Sequence, residues 1–197
     1  MNWIRAMIAA ALMQGLTGTA AVQAASKVCA APASPMARAI CADAELSALD
    51  ARLASTLESI AAKVGPNERA ALSRGQRDWL RSRDACTGSG DMKTCAKTAY
   101  RSRIAQLEIE AGLVPAKGPI AFGCGEGQTA WVTFAQGLPP AARLLSSDYD
   151  LMLFGGEERP ARGDEKVFEN NGFTLVTSGG LMLLAGQEGA LLCRVDH

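Results

Sequence analysis

Apolar residues recur every three or four positions from Leu46 through Leu49, Leu53, Leu57 and Ile60 to Val64, the seam of an amphipathic helix. Asp43 stands where a helix cap belongs, and Gly65-Pro66 ends the pattern. A second helical stretch begins at Pro66 and carries Leu72, Gln76, Trp79, Leu80 and Arg83 on one side. Gly88-Ser89-Gly90 breaks it. Asp91 is placed to cap a third helix through Ala96, Tyr100, Ile104, Leu107 and Ala111, stopping at Gly112. Three helices on short turns predict a small antiparallel bundle. From Lys117 the pattern changes to short apolar runs: Ile120–Cys124, Thr129–Phe134, Arg143–Leu145, Tyr149–Phe154, Gly172–Thr177, Leu181–Leu184 and Ala190–Val195. Glycine, proline and Asn170-Asn171 separate them at the spacing of an all-β barrel or sandwich. Leu191, Cys193 and Val195 alternate with Leu192 and Arg194, as on a strand with one buried face. The expected fold class is α+β: a disulfide-bonded three-helix domain followed by a small antiparallel β-barrel.

Composition narrows the chemistry. The 197 residues hold 20 basic and 20 acidic side chains, so no cationic excess is available for a nucleic-acid backbone. A single histidine, His197 at the terminus, leaves Ser/Cys–His catalysis and histidine metal sites without their central residue. No catalytic residue, metal or cofactor is expected. Asn2 and Arg5, the apolar run Ile8–Met13, and Val22-Gln23-Ala24 have the form of a cleaved export signal over residues 1–24. The run is too short to span about 30 Å of hydrocarbon, so no membrane span is expected in the mature form. The expected location is the periplasm or the medium, where disulfides persist.

Six cysteines fit that compartment. Cys29, Cys41, Cys86 and Cys95 fall in the helical half, and four cysteines allow three pairings. Helix geometry places Cys86, Cys95 and the start of the first helix at one end of the bundle, which favours Cys29–Cys86 with Cys41–Cys95. Cys124–Cys193 follows by elimination and brackets the β half. The expected division is 25–112 helical domain, 113–119 linker and 120–197 β-barrel domain.

Ile40-Cys41-Ala-Asp43, Leu46 to Leu53 with Leu49-Asp50 at its centre, Gln76-Arg77-Asp78-Trp79-Leu80-Arg81-Ser82-Arg83-Asp84-Ala85-Cys86, Cys95 and Tyr100 to Glu108 resemble the LprI lysozyme-inhibitor family. Phe122-Gly123-Cys124, Trp131 to Phe134, Ala142-Arg143-Leu144 and the closing Cys193 resemble the MliC type of inhibitor of c-type lysozyme, a small β-barrel. That second resemblance implies a loop inserted into the lysozyme cleft, with a Ser-Gly-x-x-Tyr motif and a later Lys-Gly facing the catalytic carboxylates. The motifs align here with Arg162-Gly163-Asp164-Glu165-Lys166 and Ser178-Gly179, so the serine, tyrosine and lysine are replaced. Arg162, Gly163, Lys166, Ser178 and Gly179 are the partner-binding residues this implies, with Asp164 and Glu165 opposing a carboxylate partner.

Charge divides along the same line. Residues 25–112 carry 13 Lys/Arg against 10 Asp/Glu, net +3, and residues 113–197 carry 6 against 10, net −4. An acidic β domain suits a basic lysozyme and would raise its association rate. Bland assignments take the remaining motifs: Trp79 as core, Arg77, Arg81 and Arg83 with Asp78 and Asp84 as a solvated salt-bridged face, and Gly123, Gly125 and Gly127 as a β-turn. Glu157 and Glu158 are adjacent on a chain in the β half and would point to opposite faces of a strand, unsuited to a catalytic pair. The expected function is an exported inhibitor-like protein that occludes c-type lysozyme or another muramidase, presenting the Gly155-to-Glu169 segment and the Thr177-Ser178-Gly179 turn. The alternative is an immunity-like periplasmic module whose partner is another wall hydrolase or an envelope protein.

Overall fold

The computed structural model describes residues 27–155, 164–187 and 189–195. The expected export signal lies outside these residues. Among the described residues, four α-helices precede eight antiparallel strands: α1 Pro35–Ala42, α2 Ala44–Ala61, α3 Pro66–Asp84 and α4 Met92–Glu110. The strands are β1 Ala116–Gly123, β2 Thr129–Ala135, β3 Ala141–Leu145, β4 Asp150–Gly155, β5 Lys166–Asn170, β6 Phe173–Ser178, β7 Leu181–Gly186 and β8 Gly189–Val195.

Local chemistry sets the helix ends. The Asp43 carboxylate accepts from the backbone N–H groups of Glu45 and Leu46, each at 3.1 Å, and so caps α2. Asp91 does the same for α4 through Thr94 N at 3.0 Å. Glu68 reaches back to the Gly65 N–H at 2.9 Å at the start of α3. One helix is additional to the expected three: α1, entered at Pro35 and capped by Ser34 Oγ on the Ala37 N–H. Its eight residues are too few for a clear period, yet they bury Met36 and Ile40 completely or nearly so. These pack with Leu46, Leu53, Ile60, Ala96, Tyr100, Ile104 and Leu107 in the helical core.

The helical disulfides differ from the expected pairing. Cys29 bonds Cys41 and Cys86 bonds Cys95, with Cα–Cα distances of 5.5 and 5.7 Å. The unforeseen α1 is the reason: it carries Cys41 back over the 3-10 turn Lys27–Ala30 that holds Cys29. Cys86 and Cys95 sit on either side of the short α3–α4 connection. Each bridge is therefore local. Cys124–Cys193 joins the ends of the β half across 69 residues.

The eight strands form one closed barrel in sequence order, with β1 returning to β8. Inward residues Phe122, Ala130, Val132, Ala142, Leu144, Leu153, Phe168, Leu175, Met182 and Leu184 fill it. Two elements depart from expectation. β1 starts at Ala116, within the expected linker, because a register shift between Lys117 and Ile120 lets it pair with β2 from there. Gly118 makes this possible: its φ is +126°, and a Cβ there would lie 2.6 Å from the Val132 carbonyl. β5 lies within the segment expected to be a loop. Val167 and Phe168 are adjacent apolar residues between Lys166 and Glu169, so no alternation marked the strand, yet Phe168 points inward against Leu175.

Candidate functional site

In a closed barrel of sequential antiparallel strands, alternate connections lie at alternate ends. The β2–β3, β4–β5 and β6–β7 connections therefore share one end, and this is where both motif segments fall. Ser178 pairs with Leu181 across a two-residue turn, Gly179-Gly180, with φ of +56° and +78°. That geometry twists with the strands and requires two residues tolerant of positive φ.

Asp164 joins the two segments. Its carboxylate accepts from Ser178 Oγ at 2.8 Å and from the Gly179 N–H at 2.6 Å. These two hydrogen bonds, the serine's first, hold the Asp164 carboxyl below the usual carboxylate value. Read from sequence, Asp164 was a charge that would repel a partner's carboxylate; in the fold it is engaged by the very groups expected to face that partner. Lys166, opposite Thr177 in the ladder, lies on the same strand face as Phe168 and holds its ammonium 5.0 Å from the centre of the Phe134 ring. Arg162 and Gly163 lie outside the described residues, as do Glu157 and Glu158. The structure thus brings Asp164, Lys166, Ser178 and Gly179 to one end of the barrel.

The helical domain reaches the same end. Arg52 of α2 forms a two-pronged pair with Glu108 of α4, with Nη2 2.7 Å from Oε1 and 3.0 Å from Oε2. Its Nη1 donates to the Leu138 carbonyl on the β2–β3 connection. Leu138 itself is 81% exposed, an apolar knob at the same end of the barrel as the motif segments. A second link runs from Arg143 of β3, whose Nη1 bonds Glu110 at 2.8 Å while its Nε and Nη2 hold Asp150 at 3.1 Å. Sequence reading did not find this junction. Its ion pairs are 33 and 56 residues apart, beyond the reach of any local period.

Inside the helical domain, the Gln76-to-Cys86 motif is explained by burial. Arg83, expected on a solvated face, is 6% exposed. It lies 5.4 Å from the Trp79 ring centre and 5.6 Å from that of Tyr100, and donates to the Tyr100 hydroxyl at 2.8 Å. Tyr100 donates in turn to Asp50 Oδ1 at 2.6 Å. Arg81 and Asp78 do form an exposed pair, as expected of that face. No group of three or more metal-ligating side chains is present among the described residues.

The helical domain is where a known family matches. Residues 29–110 match the family of the lysozyme inhibitor LprI. Lipoprotein LprI of Mycobacterium tuberculosis strain H37Rv is 30% identical over 115 residues, covering 55% of this chain and 57% of the relative. Lipoprotein LprI of Mycobacterium bovis matches to the same extent. The chain thus spans little more than half the length of these curated relatives. No solved structure matches it significantly. The LprI match ends at α4, before the barrel begins. The family is described as an inhibitor of lysozyme.

Proposed function

We propose that this chain is an exported lysozyme-inhibitor-like protein that binds a muramidase of the c type and occludes its cleft. The observation that carries the reading is the LprI match over residues 29–110, a domain whose four cysteines are all paired as an oxidising compartment requires. The relatives' description as lipoproteins supports an envelope location, and the periplasm is the compartment we propose. No helix among the described residues is long and apolar enough to cross a membrane.

The barrel end bearing Leu138, Lys166 and the Ser178-Gly179 turn is the contacting surface in this proposal. The MliC-type reading of the barrel rests on strand order and the Cys124–Cys193 closure. Occlusion needs no covalent step: an exposed apolar side chain and a polar turn suffice to seat a protein cleft. The direct test is hydrolysis of cell walls by several c-type lysozymes against titrated mature protein. Loss of activity at equimolar protein is the expected result; unchanged hydrolysis at micromolar protein removes the c-type assignment.

The Asp164 contacts favour one second reading. Because Ser178 and Gly179 already serve an internal carboxylate, the module would take a partner that does not offer one there. Such a partner is another wall hydrolase or an envelope protein, with the chain in an immunity-like role. Capture from envelope extracts separates the readings: recovery of a lysozyme alone counts against the second.

A further inference from the structure

The opposite end of the barrel holds a cleft of about 590 Å³, ringed by the β1–β2, β3–β4, β5–β6 and β7–β8 turns. We propose that this cleft binds a neutral oligosaccharide, stacking a sugar ring on Tyr149 and Phe173 and holding its hydroxyl groups with Gln128, Asn171 and Asp148.

Four observations point there. First, the cleft's size lies within the ~300–1,000 Å³ of small-molecule sites. Second, its aromatic floor is held in place. Tyr149 and Phe173 meet edge to face at 5.6 Å, and the Tyr149 N–H is tied to Ser146 Oγ at 3.0 Å. Phe173 lies so close over Gly186 that a Cβ at that glycine would come within 2.7 Å of the ring. Both rings are half-buried and line the opening.

Third, the rim has the right groups and lacks the wrong ones. Gln128 and Asn171 offer exposed amides that donate and accept, and Asp148 offers an acceptor for paired hydroxyls. Among the described residues lining the cleft, Asp148 is the one charged side chain and none is basic, so a phosphate or a lipid headgroup finds no counter-charge. A ring with an apolar C–H face and polar edges matches this combination. Fourth, Asn171 also lines a groove of about 340 Å³ between the helices and the barrel, which reaches Trp79. A chain of sugar rings running past Asn171 would enter that groove, hence an oligomer.

The proposal does not rest on lysozyme binding, since the two surfaces are at opposite ends of the barrel. The test uses the whole mature chain with N-acetylglucosamine tetramer and maltotetraose as probes, read by NMR shifts of the Tyr149 and Phe173 rings. Binding of at least one tetramer with a dissociation constant of ~1 mM or tighter is expected. The double variant Gln128→Ala with Asn171→Gly should weaken it about tenfold or more, a change of ~1.4 kcal/mol. Both positions are exposed, and glycine accepts the φ of +51° at position 171, so the fold is kept.

A parallel arm sediments the protein with purified cell-wall sacculi. Co-sedimentation together with tetramer binding assigns a wall glycan as the source; tetramer binding alone assigns a free oligosaccharide. Absence of ring shifts with either tetramer at ~10 mM overturns the proposal, with or without co-sedimentation. So does a double variant that binds as the wild type does.

Discussion

Tyr100 shows how much one polar atom can hold in the helical domain. The residue is fully buried, and its hydroxyl sits between Arg83 and Asp50. Tyr100→Phe keeps the ring but leaves a buried guanidinium donor unmatched, so unfolding free energy should fall by about 1–3 kcal/mol in chemical denaturation. The same site predicts an alkaline limit. Burial first, then the hydrogen bond to Asp50, raises the Tyr100 pKa well above its ordinary 10.0. A raised folded value means the unfolded chain loses the proton first, so stability is complete below pH 10 and declines as pH rises beyond it. The Tyr100→Phe variant should lack this share of the alkaline decline. Equal decline in both proteins would place the effect elsewhere. Sequence spacing put Trp79 in the core and Tyr100 in the seam of the last helix, and assigned Arg83 to a solvated face. It did not show that an arginine would be enclosed by two rings, because periodicity does not record which neighbour shields a charge.

At the scale of elements, the three disulfides do different work. The two helical bridges close loops of 12 and 9 residues, and the chain-entropy model assigns each about 3 kcal/mol. Cys124–Cys193 closes 69 residues, for which the same model gives about 4 kcal/mol. It also joins the β1 end to β8 where that ladder is short, with pairs Phe122↔Val195 and Gly123↔Arg194. The Cys124→Ser, Cys193→Ser pair should therefore lower barrel stability by about 4 kcal/mol. Amide hydrogen exchange should rise first along β1 and β8 while the α2 and α4 amides stay protected. Uniform loss of protection across both halves would mean that they unfold as one unit. The existence of a bracketing bridge was legible from the cysteine positions. The local pairing in the helical half was not, since it depended on α1, an element too short to register as a period.

For the whole molecule, the decisive contact is the junction between helices and barrel. Glu108 is 8% exposed and depends on Arg52 for its charge partner, while the same guanidinium holds the Leu138 carbonyl. Arg52 is itself partly open to solvent, so the pair is worth less than a fully buried one. Arg52→Ala should cost about 1–2 kcal/mol. It should also release the two halves, seen as faster proteolysis between α4 and β1 and a larger radius in X-ray scattering. An unchanged radius would show that Arg143 with Glu110 suffices to hold them.

Much of this protein follows from its linear pattern. Helical spacing, the Asp43 and Asp91 caps and the punctuated apolar runs prescribe an α-half and a β-half, because local hydrogen bonding and alternate burial act over a few residues. The even cysteine count and the Gln76-to-Cys86 motif likewise point to an oxidised helical core that resembles LprI. What only the tertiary structure decided acts over distance. Closing the barrel placed alternate turns at opposite ends, which brought Asp164 onto Ser178 and Gly179 and gathered Tyr149 and Phe173 at the other mouth. Packing of α2 and α4 on the β2–β3 side joined Arg52 to Leu138, and packing of α3 on α4 set Arg83 against the touching rings of Trp79 and Tyr100. Such meetings depend on which surfaces exclude water together, and a pattern read along one chain contains no measure of that.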